Sequence, residues 1–216
     1  MRTKIGLSLL VAAFVAVALT SVAFAQGSGK QNQQQATLKA NLAPLNNSGA
    51  SGTATLSLSG TDLTIDVDSK GLSPKLPHAQ HIHGKDQAIS ECPTLNAETD
   101  TDKDGLLNTA EGLPAYGPIQ VSLTTTGDTS PSSGLAVDRF PVASKKGGVV
   151  DYSRTFTIPG KLATQLADFH IVQHGIDLNG NGEYDFEAAG ASELDPSLPQ
   201  EATIPANCGP ISPVRG

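Results

Sequence analysis

The chain has 216 residues, a formal net charge of −7 at pH 7 and only 4% aromatic residues. An acidic chain of this kind is poorly suited to bind nucleic acid or an anionic membrane surface, so we expect neither as a partner. The balance favours cations as ligands. Two cysteines and five histidines are the residues most able to carry metal chemistry.

The first predicted element is a secretory signal peptide over residues 1–25. A basic start precedes an apolar run over Ile5–Thr20, and Ala23-Phe24-Ala25 then offers small residues for cleavage. A membrane anchor is disfavoured because the run is short and lies directly before the cleavage pattern. We expect one secreted or periplasmic domain over residues 26–216, with no membrane span and a net charge near −9 once two basic residues are removed.

The rest of the chain reads mostly as strands. Seven segments show apolar and polar alternation or short apolar runs: 36–45, 53–59, 63–68, 78–83, 119–123, 149–158 and 169–174. One short helix is expected over Lys161–Ala167. Many short strands, long polar loops and little helix predict an all-β fold, an antiparallel β-sandwich or barrel, rather than a mixed α+β domain.

All five histidines fall in two of these strands. His81 and His83 project from the same face of a strand and can share one metal ion. His174, from the other strand, would complete a three-imidazole site of a kind that suits copper or zinc. His170 shares a face with His174 and is either a fourth ligand or a hydrogen-bonded surface histidine. His78 is a further candidate ligand beside the site.

Residues 100–111 match the twelve-residue calcium loop of EF-hand proteins, with Gly105 at the required sixth position. The ligand positions are Asp100, Asp102, Asp104, the carbonyl of Leu106, Asn108 and Glu111. Clustered carboxylates repel one another unless a hard cation joins them; the alternative is a solvated acidic turn. Gly112 and Pro114 are expected to leave little room for a helix after the loop.

A second acidic loop over residues 177–185 repeats the first half of this pattern. Its candidate ligands are Asp177, Asn179, Asn181, Glu183 and Asp185. The twelfth position is Ala188, with Glu187 one place early. An Asn- and Gly-rich turn stabilised by side-chain hydrogen bonds is therefore the alternative.

The two cysteines, Cys92 and Cys208, most simply pair with each other in an exported chain. The bridge would close a loop of more than a hundred residues. In the chain-entropy model it stabilises the fold by about 4–5 kcal/mol. Two free thiols are the alternative.

Taken in order, five pieces of the chain resemble copper/zinc superoxide dismutases: Gly71-Leu72, His78–Gly84, Cys92, Val172–Gly175 and Cys208-Gly209. The resemblance implies a Greek-key β-sandwich in which His81, His83 and His174 hold copper, His78 is a structural histidine and the cysteines form an intrasubunit disulfide. It also implies superoxide as a partner.

The chain departs from that family in two ways. No histidine occurs between Gly84 and Phe169, so a zinc site of the usual kind is not expected. The position of the family's anion-attracting arginine holds Pro205. The resemblance therefore implies an exported copper-binding protein, either a zinc-less superoxide dismutase or a non-catalytic copper binder.

The His81-Ile82-His83-Gly84 strand is also similar to CHRD domains. That resemblance implies a calcium-stiffened, non-catalytic extracellular binding module. The spacing to Cys92 and the Cys208-Gly209 ending favour the dismutase-like superfamily. A serine or cysteine hydrolase is disfavoured, because no nucleophile elbow occurs and both cysteines have a use in the bridge. The sequence leaves the oligomeric state open.

Overall fold

The computed structural model describes residues 35–84 and 91–214, which lie within a compact unit formed by Gln33–Gly216. The predicted signal peptide falls outside the described residues. Within the described ranges, no helix has the length and apolar character needed to cross a membrane.

The described residues form an eight-stranded antiparallel sheet. Its strands are β1 Gln35–Pro44, β2 Ser51–Ser59, β3 Asp62–Lys70, β4 Gln80–His83, β5 Ile119–Ser122, β6 Val150–Thr157, β7 His170–His174 and β8 Pro205–Pro213. The spatial order is β5-β4-β7-β8-β1-β2-β3-β6. The chain therefore crosses from β3 to the far side at β4 and returns from β5 to β6, which is a Greek-key pattern. The predicted all-β, antiparallel Greek-key sandwich is confirmed.

The core is built by strand alternation, as the sequence predicts. On β2 and β3, Leu56, Leu63, Ile65 and Val67 are fully buried, and the residues between them are mostly exposed. Each such side chain contributes about 1.5–3 kcal/mol through burial. Ile82 of β4 belongs to the same core. Its neighbours in sequence, on either side, therefore point to the opposite face of the sheet.

Short helices lie in the loops between strands: α1 Thr109–Tyr116, α2 Gly160–Gln165 and α3 Gln200–Thr203. The helix predicted over 161–167 is confirmed as α2 and the 3₁₀ turn that follows it, Leu166–Asp168. The expectation of little room for a helix after the first acidic loop is wrong, because α1 begins there and contains Pro114.

A capping box explains why α1 forms. The side chain of Asn108 accepts a hydrogen bond from the backbone N–H of Glu111 at 3.0 Å. The carboxylate of Glu111 accepts one from the backbone N–H of Asn108, also at 3.0 Å. The two bonds satisfy N–H groups that a helix start leaves free, and so offset the bond that Pro114 cannot make.

Cys92 and Cys208 form a disulfide with a Cα–Cα distance of 5.8 Å, which confirms the predicted bridge and leaves no free cysteine. It ties the loop after β4 to the last strand. Disulfides persist in oxidising compartments, so the bridge indicates a location outside the cytosol.

Candidate metal centre

Strands β4 and β7 bring three histidines together. The strands pair antiparallel, with His81 opposite Val172 and His83 opposite His170. Because Ile82 faces the core, His81 and His83 lie on the outer face, where His174 joins them from the end of β7. The ring centroids are 5.4 Å apart for His81–His83, 5.2 Å for His81–His174 and 5.8 Å for His83–His174. One ring nitrogen from each lies within 4.8 Å of the other two.

Each of the three rings is oriented by a backbone carbonyl. The pairs are His81 Nε2 with Gly134 at 3.0 Å, His83 Nδ1 with Gly117 at 2.8 Å and His174 Nδ1 with Thr203 at 2.6 Å. A carbonyl can only accept, so these nitrogens carry the proton and the opposite nitrogens carry a lone pair. Metal-binding histidines are oriented in this way by the groups behind them.

The three nitrogens that carry the lone pairs are His81 Nδ1, His83 Nε2 and His174 Nε2. All three are buried, and none has a hydrogen-bond partner in the described structure. Buried polar atoms without partners are rare, and each calls for a physical explanation such as an unseen ion. A metal ion between the rings would satisfy all three atoms at once.

Burial keeps the three imidazoles neutral. It lowers the pKa of His83 to about 3 and that of His174 to about 4. The pKa of His81 is also held well below its ordinary value, first by burial and then by the neighbouring imidazoles of His174 and His83. Neutral imidazole is the form that binds a metal.

The cavity beside the rings is small and largely apolar. Its volume is about 20 Å³. Its apolar lining residues are Ala79, Ile119, Leu135, Val137, Leu194 and Ala202. A space of this size accommodates about one water-sized ligand. The space therefore suits a single ion or one water-sized ligand.

The other two histidines lie close by but outside this group. Among the described residues, the convergent set of ring nitrogens contains neither His170 nor His78. His170 is buried on β7, opposite His83. The nitrogens of His78 face the backbone carbonyls of His174 and Ser73, each at 2.9 Å. His78 thus links the end of β7 to the loop before β4.

The first acidic loop brings its carboxylates together. Oxygens of Asp100, Asp102 and Asp104 lie within 4.8 Å of one another. Gly105 adopts φ 83°, which glycine reaches without strain, and its N–H donates to Asp100 at 3.2 Å. Leu106, at the seventh position, donates its N–H to Asp104 at 2.8 Å.

Glu111, at the twelfth position, folds back over the first loop. One carboxylate oxygen accepts from the N–H of Thr101 at 2.6 Å, and the other from the N–H of Asn108 at 3.0 Å. These donors are loop positions two and nine. The predicted ligands Asp102 and Asn108 also meet, with 3.4 Å between Asn108 Nδ2 and an Asp102 carboxylate oxygen.

The second acidic loop has the same backbone course. Asp177 accepts from Gly180 and Gly182 at 2.8 Å each and from Asn181 at 3.1 Å. The glycines at positions four and six have φ 73° and 87°. The amides of Asn179 and Asn181 both donate to Asp185, and Glu183 donates its N–H to Asn181.

A residue that sequence reasoning missed closes this second loop. Glu201 of α3 is fully buried, and its carboxylate oxygens accept from the N–H groups of Leu178 at 2.7 Å and Asp185 at 2.9 Å. Its place depends on the fold rather than on local spacing, so no pattern within the loop could reveal it. The same holds for the carbonyls behind the three histidines.

Comparison with known proteins and protein families identifies the family of this chain. No curated protein matches it. The CHRD domain model matches residues 34–181. The dismutase-like identification is therefore wrong. A His-x-His strand can hold a metal ion, and a cysteine pair can form a disulfide, on paired strands of any family. These features therefore do not distinguish one family from another. Since the match covers more than half of its length, the chain belongs to the CHRD domain family.

Proposed function

We propose that this protein is an exported, non-catalytic binding module that holds a copper ion at His81, His83 and His174. The observation that carries the proposal is the convergence of three buried imidazole nitrogens, each without a partner and each on a ring oriented by a backbone carbonyl.

The donor set favours copper among the common divalent ions. Imidazole suits copper, zinc, iron and nickel, and Cu²⁺ stands highest in the affinity order of first-row metals. The convergent group contains three histidines and no carboxylate. Both cysteines are held in the disulfide, so a thiolate site is not available. Zinc is the competitor that a test has to include.

Binding rather than catalysis is supported by the cavity. Apart from the three histidines, its polar side chains are the hydroxyls of Thr109 and Thr203. The Thr109 hydroxyl donates to the Thr203 carbonyl at 2.6 Å, and the Thr203 hydroxyl contacts Ser192 at 2.8 Å. Among the described residues, no general acid or base lines the space apart from the metal ligands themselves, and its volume of about 20 Å³ excludes larger substrates.

Calcium is the second ion that we propose, bound in the first acidic loop to stiffen the module. The support is the convergence of Asp100, Asp102 and Asp104 and the EF-hand spacing up to Glu111. Calcium sites in extracellular modules have dissociation constants of roughly 10⁻⁴–10⁻³ M. Such sites fill at the calcium concentrations found outside the cell, and the disulfide is consistent with an oxidising compartment.

The experiment is metal binding by the purified, disulfide-bonded protein. We expect one Cu²⁺ per chain at the histidines, with nitrogen couplings in its electron paramagnetic resonance spectrum and with zinc bound less tightly. His83→Ala should weaken copper binding by about 100-fold or more, beyond the range seen when only an outer group is lost. Tyr116→Phe is the matched control. The rings of Tyr116 and His83 pack with their centroids 4.6 Å apart, and the Tyr116 hydroxyl is directed to the carbonyl of Thr109 rather than to the proposed ion. Unchanged copper affinity in His83→Ala would overturn the proposal.

A further inference from the structure

Helix α3 is the element where the two acidic loops and the histidine centre meet. All four of its residues are buried. Gln200 reaches Asp104 of the first loop at 3.4 Å, and Glu201 closes the second loop. The carbonyl of Thr203 accepts a hydrogen bond from the Nδ1–H of His174 at 2.6 Å. A four-residue segment thus contacts every candidate ion site.

Glu201 occupies the place in the second loop that Glu111 occupies in the first. Glu111 accepts hydrogen bonds from the backbone N–H groups at loop positions two and nine. Glu201 accepts from positions two and nine of its own loop, Leu178 and Asp185. In EF-hand loops the twelfth residue is a glutamate that binds calcium through both oxygens. The second loop has Ala188 there, and Glu201 supplies the missing carboxylate from another element.

Glu201 is a buried carboxylate that no cationic side chain contacts in the described structure. Its exposed fraction is 0%, and it lies in α3 rather than in the acidic run. Both of its hydrogen-bond donors are neutral backbone groups. Buried charges in proteins are normally paired or coordinate a metal, because an uncompensated carboxylate is costly to remove from water.

Two segments run side by side between the second loop and the histidine centre. One runs from His174 to Asp177, and the other contains Glu201 and Thr203. Three hydrogen bonds join the two segments. The Nδ1–H of His174 donates to the carbonyl of Thr203. The N–H of Gly175 donates to the carbonyl of Ile204 at 2.9 Å, and the N–H of Ile176 donates to the carbonyl of Glu201 at 2.8 Å. Asp177, the first position of the loop, is three residues beyond His174.

We propose that Glu201 is the twelfth ligand of the second calcium loop, and that calcium bound there strengthens metal binding at the histidine centre. The ion draws Asp177 and Glu201 together, which fixes the adjoining pair, His174 and Thr203. The lone pair of His174 Nε2, which has no partner in the described structure, is then held toward the other two histidines. The inference rests on the proposed copper site.

The test measures copper affinity with and without calcium. Cu²⁺ is titrated against a chromophoric chelator in calcium-free buffer and again at about 10 mM calcium, above the range typical of extracellular modules. Because loss of a group behind a metal ligand weakens binding by about 10–100-fold, calcium should raise copper affinity by about 10-fold or more. By reciprocity, bound copper raises calcium affinity by the same factor.

Variants separate Glu201 from its neighbours. Glu201→Gln should bind copper as calcium-free wild type does and lose the calcium-dependent gain. Glu187→Gln, an exposed carboxylate one place from the sequence-defined twelfth position, should keep the gain. Should Glu201→Gln fail to fold, Asp177→Asn carries the same expectation.

The outcomes distinguish the two proposals. Copper bound with equal affinity with and without calcium would overturn this inference and leave the proposed function standing. No copper at the histidines would overturn the proposed function. Calcium titration then still tests Glu201: wild type should bind one more ion than Glu201→Gln, and equal stoichiometry would count against Glu201 as a ligand.

Discussion

The Nδ1–H of His83 donates to the carbonyl of Gly117, the residue that ends α1, at 2.8 Å. The start of α1 is held by Glu111, the last residue of the first acidic loop. On the other side of the centre, α3 leads from Glu201 to the carbonyl of Thr203, which orients His174. Each acidic loop thus adjoins a short helix whose end orients one histidine.

The conformation of Gly117 leads to a first prediction. Its φ is 78°, a left-handed value that disfavours a Cβ. Gly117→Ala should cost about 1–3 kcal/mol of stability and turn the carbonyl away from His83, which weakens copper binding by about 10-fold. Gly147→Ala is the control, because φ there is 80° and a Cβ would meet only Val149 at 3.7 Å. Equal copper affinity in the two variants would show that the Gly117 carbonyl has no orienting role.

The sequence predicts the parts of the centre that depend on strand periodicity. His81 and His83 share a face because one residue separates them, and Ile82 between them enters the core. The three carbonyls behind the histidines belong to loops, and a backbone group has no signature in sequence. Glu201 reaches the second loop only because the chain on either side of β7 and β8 is held in register. A single sequence does not give that long-range pairing.

Calcium should stabilise the protein by mass action. One site contributes about 2.7 kcal/mol when calcium exceeds the dissociation constant a hundredfold. Calcium should raise the melting temperature of Glu111→Ala by less than that of the wild type, because the first loop no longer binds the ion. The comparison is made between matched calcium-containing and calcium-free samples, because loss of the capping box alone costs about 0.5–2 kcal/mol. Glu98→Ala, an exposed acid before the loop, should retain the full rise. If calcium leaves the melting temperature of the wild type unchanged, the loops are acidic turns that bind no calcium.

The metal-free protein should lose stability as the pH falls below about 6.5. Burial lowers the pKa of His174 to about 4 and that of His83 to about 3, whereas the unfolded chain titrates near 6.5. The unfolded state therefore binds more protons than the folded state at any pH between the folded pKa and 6.5. The free energy of unfolding is highest above pH 6.5 and falls progressively as the pH drops to the folded pKa. Between pH 7 and pH 5 the loss is about 2 kcal/mol for each histidine. Denaturant unfolding at the two pH values measures it, and His174→Gln should show a smaller loss. A pH-independent free energy of unfolding over this range would contradict the prediction.

Removing the disulfide should be costly and should also reach the metal centre. The bridge spans 116 residues of sequence, for which the chain-entropy model gives about 4–5 kcal/mol. Cys208 packs with Val172 and Tyr116, and the ring of Tyr116 lies 4.6 Å from that of His83. The double variant Cys92→Ala with Cys208→Ala should therefore unfold at lower denaturant concentration and bind copper more weakly. Reduction of the wild type should reproduce both effects, whereas the double variant should be insensitive to reductant. Equal stability of the bridged and reduced wild type would show that the loop after β4 is held by its other contacts.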